Sequence, residues 1–393
     1  MRIAIIGGGI GGLTAGLALS QFGFEPQIFE QAPQLLEVGA AILMWPNAMR
    51  VLHRLGLADT ILEHSGVLEQ SQWLRRDGKL LNQFSFPKTD SPAVALHRAE
   101  LQQALVRALP QDSIHLNHVF AGYEQLPDRI IARFRDVSSF ECDVLIGADG
   151  LHSRCRDQLL ADGAPTEHDY VAWRGVTPHM PQSVALATAT EIYGRGQRFG
   201  IGPLGGGKVG WWASANKSLL RDQQQTSAED HALIQEELLR LFQDWCDPVP
   251  ELIRTTPLTA LVRNAVSDRA PAKKWGSDCV TLLGDAIHPV TPNLGQGGCL
   301  AIEDAAVLAR CFEKYVRGGT FAEVSAALRR YESLRRPRTA SVARFSRAYG
   351  MVGQWQSGWA VSLRDLMLSL VPNWLTARFL HGIFEYDAYA VRI

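Results

Sequence analysis

The sequence has no run of basic residues, no CxxC pair and no long uninterrupted apolar stretch, and each absence removes a class of function. Lysine and arginine total 39 against 40 aspartates and glutamates, so the basic stripe expected of a nucleic-acid binder is missing. Small-molecule partners are expected instead, and no nucleic acid. No stretch of about 18 apolar residues is present to span a membrane, and no membrane partner is expected. Six cysteines lie scattered without zinc or redox spacing, and they read as reduced thiols. Met1 leads directly into Ile3-Ala4-Ile5-Ile6 without the charged, apolar and cleavage regions of a secretory signal, so a cytoplasmic location is expected. His115-x-x-His118 has no carboxylate or cysteine pattern to complete a metal site, and no metal is expected. Gly205-Gly206-Gly207-Lys208 lacks the spacing and hydroxyl residue of a P-loop and reads as a hairpin turn.

Glycine, by contrast, is abundant. The chain has 35 in 393 residues, above the usual ~7%, and a 46% hydrophobic content that excludes disorder and supports a large core. Residues 2–6 form an apolar run suited to a central parallel strand; residues 13–19 read as helix and 25–30 as strand, which makes a βαβ unit. Further buried strands are expected at 143–147 and 279–284. Between them, roughly 165–270, alternating segments predict antiparallel sheet with a helix near 230–244. Long helical patterns follow at 298–317 and 320–348, then a stretch with Trp355, Trp359, Leu363, Leu366, Leu370 and Trp374. That stretch either packs back on the core, the favoured reading, or offers an amphipathic face to a partner or membrane surface.

Gly7, Gly9 and Gly12 make a G-x-G-x-x-G that leaves a strand and opens a helix, with Glu30 near the ~20-residue offset of a dinucleotide fold. The first glycine permits the turn, the second lets a pyrophosphate approach, and the third allows close helix–strand packing. The helix N-terminus stabilises the phosphates and Glu30 can accept from ribose hydroxyls. Asp285 ends another strand, where it can bond cofactor hydroxyls. Gly295, Gly297 and Gly298 then precede a helix whose free N–H groups can stabilise negative charge. Only one G-x-G-x-x-G follows a strand, so a second dinucleotide domain is not expected.

Two further segments carry a resemblance. Asp143-Val-Leu-Ile-Gly-Ala-Asp149-Gly150-Leu-His-Ser153-Arg154-Cys-Arg156 looks like the Asp-Gly motif of flavoprotein hydroxylases, and Gly284-Asp285-Ala-Ile-His288-Pro289-Val-Thr-Pro292-Asn-Leu-Gly295-Gln-Gly297-Gly298 resembles their Gly-Asp motif and flavin-cradling loop. With the N-terminal turn they cover residues 1–310. The chain thus resembles single-component FAD-dependent aromatic hydroxylases of the para-hydroxybenzoate hydroxylase fold. The urate hydroxylases and zeaxanthin-epoxidase-like enzymes are nearest, through Trp45-Pro-Asn and Thr291-Pro-Asn-Leu-Gly-Gln-Gly-Gly.

The resemblance implies an α/β (α+β) chain: a Rossmann-like FAD-binding domain, 1–165 plus 271–340, with some strands from 70–100 joining the middle sheet. An interleaved antiparallel-sheet substrate domain spans 166–270 and a C-terminal helical segment 341–393, in a monomer or homodimer. It implies non-covalent FAD held by Gly7, Gly9, Gly11, Gly12, Glu30, Gln31, Ala41, Arg98, Val119, Asp149, Asp285, Gly295, Gln296, Gly297 and Gly298. Arg154 or Arg156 could meet the phosphates of NADPH or NADH, a transient co-substrate. Reduced flavin and O2 would then give a C4a-hydroperoxide that hydroxylates or epoxidises an aromatic or polycyclic molecule; a related reductase or halogenase is the alternative. Met44, Arg174, Phe199, Trp211, Trp212 and Pro292 are the expected substrate contacts. His288, Pro289 and Arg198 are the expected catalytic residues, Arg198 as a possible substrate anchor and His288 as either a general base or a structural cap of the loop. The tyrosine that urate enzymes place in the middle sheet falls at Gly210 here, which counts against urate.

Overall fold

A computed structural model describes residues 1–35, 41–86, 88–221 and 230–393. Its central sheet is built on the apolar N-terminal run: Arg2–Ile6 pairs in parallel with Glu25–Phe29 on one side and Val144–Gly147 on the other. Val280–Leu282 and Ile114–His115 extend it, also in parallel, and Gly276–Ser277 adds one antiparallel edge. The parallel strands all end at the same side of the sheet, where a doubly wound fold places its ligand. The Ile10–Ser20 and Gly297–Tyr315 helices cover one face, and Gly16 packs there against Ile28. Phe29, the next residue and so on the opposite face, stacks on His115 of the neighbouring strand and sits against Phe134 and Phe140 of the small three-stranded sheet behind.

The second large sheet has seven strands in the order Val262–Asp268, Thr166–Thr177, Val209–Asn216, Gln197–Pro203, Thr188–Tyr193, Gln70–Arg75 and Leu80–Ser85. It is antiparallel as expected except for one parallel pairing, Thr188–Tyr193 on Gln70–Arg75. Two of its strands, Gln70–Arg75 and Leu80–Ser85, come from well before the others in the chain. Helices His231–Phe242 and Val249–Thr255 seal one face over a core of Trp173, Phe199, Trp211, Phe242 and Trp245. The opposite face turns toward the first sheet. There Arg198 donates to Asn293, in the loop before the Gly297–Tyr315 helix, and Tyr193 shares a hydrogen bond with Tyr349 of the Phe321–Gly353 helix.

The C-terminal stretch departs from its favoured reading. Ala360 and Arg364 of the Gly358–Leu370 helix face the protein, while Trp359, Leu363, Leu366, Met367 and Leu370 are exposed. The side chain of Trp374 lies outside the described residues.

Candidate active site

The N-terminal glycines meet two opposed demands. Gly7 has φ of +110°, and a Cβ on Gly12 would lie 1.9 Å from the Gly7 carbonyl oxygen, so neither tolerates a side chain. A Cβ on Gly9 would meet nothing within 4 Å, so the strand-to-helix turn faces open space there. Gly9 caps the Ile10–Ser20 helix without a side-chain acceptor, and no acid occupies its first turn, so its N–H dipoles remain available to an anion. A Cβ on Gly11 would press on Leu283 at 2.9 Å and Ala301 at 3.2 Å, so its smallness serves helix packing. Glu30 accepts from Gly8 N–H at 2.6 Å and Ala32 N–H at 2.9 Å, which pins the turn to the end of the second strand. Gln31 is exposed just beyond it. Val119 lies just before the Phe120–Gln125 strand, and its carbonyl accepts from Arg135 N–H.

The other motifs converge on the same crevice. Asp285 stands on the crevice floor, where its side chain still meets solvent although protein surrounds it; burial raises its pKa against the opposing pull of His288, Arg98 and Arg174. Its Oδ1 lies beside Gly297, and Arg174 has its own pKa lowered, by burial first and Arg98 second. An acid, two arginines and an uncapped helix start therefore meet at one place, contributed by three distant segments. Gln296, which precedes that helix, is fully buried; its Oε1 accepts from Asn47, and its Nε2 has no partner among the described residues. Asn47 also donates to Glu303 at 2.6 Å. The acid on the crevice floor, the two uncapped helix starts and the open backbone at Gly9 fit an anionic dinucleotide with a polar ring system.

Opposite lies the inner face of the seven-stranded sheet. Arg174 and Trp212 are direct cross-strand partners, and the Arg198 guanidinium sits over the Trp212 ring at 5.1 Å. Trp212 lies flat on Gly200, where a Cβ would come within 1.9 Å of the indole nitrogen. Arg198 itself is buried, bonded to Glu191 at 3.0 Å and to Asn293, which make it a strut between sheet and loop as well as a wall. Ala41 packs against Gly210, where a Cβ would come within 2.2 Å of the Ala41 methyl.

Several expected contacts lie elsewhere. Phe199 and Trp211 stack on each other across the outer face, with Trp211 Nε1 donating to Thr256, because strand alternation turns them away from Arg198 and Trp212. Met44 is fully buried against the start of the Gly297–Tyr315 helix; Gly39 and Ala40 before it lie outside the described residues. His288 bonds Asp304 through Nε2 at 2.5 Å, its Nδ1 has no partner among the described residues, and its ring lies against Trp275, with Pro289 buried beside it. Burial raises the Asp304 pKa, but His288 and Arg335 outweigh it and hold the carboxylate below its ordinary range. Arg156 is buried too, bonded to Asp162 and the carbonyls of Ala286 and Ile287, whereas Arg154 is exposed. Asp149 accepts from Ser153 Oγ and Cys155 N–H and so shapes the Asp-Gly turn. Pro292 is exposed at the head of the loop. Sequence reasoning misses Asn293, Asn47 and Gln102, whose amide donates to the Gly8 carbonyl. Asn293 and Asn47 do stand inside the motifs that carry the resemblance.

A model of the FAD binding domain matches residues 1–346. The chain belongs to that family. It is 36% identical over 377 residues to an aurachin C monooxygenase/isomerase of Stigmatella aurantiaca, an alignment covering 95% of each chain. An FAD-dependent urate hydroxylase of Klebsiella pneumoniae is 30% identical over 97% of this chain and 99% of its own. The crystal structure of Klebsiella pneumoniae HpxO complexed with FAD and uric acid superimposes with a TM-score of 0.87 at 29% identity, covering 98% of this chain and 96% of that one. The chain is therefore an FAD-dependent monooxygenase that uses NAD(P)H and O2.

Proposed function

We propose that this monooxygenase binds a planar aromatic or polycyclic substrate between the Gly-Asp loop and the Arg174–Trp212 pair. FAD would be held by the Gly7–Gly12 turn, Glu30, Arg98, Asp285 and the N–H groups of Gly297 and Gly298. When bound, FAD supplies the chemistry that takes electrons from NAD(P)H and places one atom of O2 on the substrate. The protein's part is to bind, orient and keep water out. The Gly297–Tyr315 helix start, without a side-chain cap, stabilises negative charge on the ring edge it faces. Arg98 and Arg174 balance Asp285 and any anionic oxygen of the substrate. Trp212, held flat by Gly200 and Arg198, gives a stacking wall.

The juxtaposition of Asp285 and Gly297 with Arg174 across the crevice supports this reading most directly. Gly210, packed on Ala41, favours a substrate other than urate. The test is NAD(P)H oxidation by the FAD-loaded protein across phenols, quinolones, purines and polycyclic aromatics, with the hydroxylated product quantified. For the best substrate, Arg174→Gln should raise KM by about tenfold, one charged hydrogen bond, with kcat largely kept. An unchanged KM removes Arg174 from the substrate site.

A further inference from the structure

The Gly358–Leu370 helix is inside out. Arginine is among the side chains least often fully buried, yet Arg364 is 1% exposed, its guanidinium bonded to the carbonyls of Gly194 and Gly353 and to Asp365. Trp359, Leu363, Leu366 and Leu370, spaced to fall on one stripe, face outward, with Trp359 74% and Leu370 68% exposed. A contiguous apolar patch of this kind marks an interface.

We propose that this stripe seats the protein on an anionic lipid bilayer. Charge selects that occupant. From Gln354 to Phe384 the sequence has one carboxylate, Asp365, and Arg364 engages it. Exposed cations flank the stripe: Arg195 at the helix start, within 3.0 Å of where a Gly358 Cβ would stand, and Arg378 in the next helix. The strand Leu80–Ser85 borders the other end, where Asn82 donates to the carbonyls of Leu368 and Val371, and its turn carries exposed Lys79. An apolar stripe with an interfacial tryptophan, rimmed by cations, suits a helix lying in the plane of anionic headgroups. Arg364 and Leu368 on the underside of the same helix line an open cavity of roughly 200 Å³ together with Phe345, Tyr349 and Val352, and Tyr349 stands beside Arg198.

The test is flotation of the FAD-loaded full chain with vesicles of phosphatidylcholine alone or with phosphatidylglycerol. Binding to the anionic vesicles is expected, weakening as salt rises. The triple variant Trp359→Ser, Leu366→Ser, Leu370→Ser should bind at least about tenfold more weakly with flavin content unchanged, since all three side chains are already in water. Arg195→Glu with Arg378→Glu gives an independent arm and should abolish the preference for anionic vesicles. Absence of flotation overturns the proposal, as does unchanged binding by the triple variant. A vesicle-free dimer in sedimentation equilibrium that the triple variant dissociates would assign the stripe to a second copy and overturn it equally.

Discussion

Gly9 and Gly12 stand three residues apart in one turn and should respond oppositely to the same methyl group. Alanine at Gly12 would collide with the Gly7 carbonyl and is expected to prevent folding. Alanine at Gly9 costs the fold less than about 1 kcal/mol as a poorer helix cap, because its Cβ has free space. That space is the approach to the pyrophosphate, so FAD affinity should fall by at least about tenfold. Titration of FAD into the flavin-free proteins measures both. Asp285 makes a second pair of opposed effects. Its folded pKa is raised by burial, so in the flavin-free chain its ionisation lowers stability as pH rises through that value. Asp285→Asn should therefore raise the Tm of flavin-free protein at about pH 7 and flatten its pH dependence, while weakening FAD retention. A lower Tm would mean that Arg98 and Arg174 rely on the carboxylate more than burial opposes it.

At the scale of elements, the contact between the Gly297–Tyr315 and Phe321–Gly353 helices is held by buried ions. Arg335, wholly buried, bonds Glu303 at 2.7 Å and Asp304 at 2.6 Å, and Asp304 also takes His288 and the Gly284 N–H. Breaking such a pair by removing one partner costs about 3–5 kcal/mol, because the other charge stays buried. Asp304→Asn should lose stability on that scale in chemical denaturation. The Asp304 pKa is depressed on folding, so its contribution is complete above the ordinary aspartate value of about 3.9 and is lost as pH falls below it. The wild type should accordingly steepen in acid unfolding where the variant does not. His288 belongs to this element, so His288→Asn should lower Tm without moving the pH profile of NAD(P)H oxidation. In the sequence His288 is ambiguous because its partner lies 16 residues away on the next helix. A loop motif does not specify which nitrogen is taken.

For the whole molecule, the seam between the two sheets decides whether a crevice exists. Arg198 crosses it to Asn293, and Tyr349 bonds both Tyr193 and Glu191 from the long helix. Burial lowers the Arg198 pKa, but Glu191 together with Tyr193, Tyr349 and Tyr170 outweighs it, so the arginine is charged and faces Glu191 in a low-dielectric setting. Arg198→Met should cost about 3–5 kcal/mol and increase NAD(P)H oxidation that yields hydrogen peroxide instead of product, because the wall over the crevice loosens. A peroxide assay beside the denaturation curve separates wall from strut. Unchanged stability with lost turnover would make Arg198 a substrate contact alone.

The sequence by itself determined the parts that depend on local backbone chemistry. The Gly7–Gly12 turn, the strand ends at Asp149 and Asp285 and the glycines before residue 298 were legible because bare backbone at a helix start has few other uses. Tertiary structure alone decided which way side chains face. In a sheet covered on both sides, alternation cannot tell the inner face from the outer, and so Trp212 and Arg198 line the crevice while Trp211 and Phe199 fill the core behind it. The same physics inverted the Gly358–Leu370 helix: amphipathic spacing showed that it has two faces, and packing turned the arginine in and the leucines out.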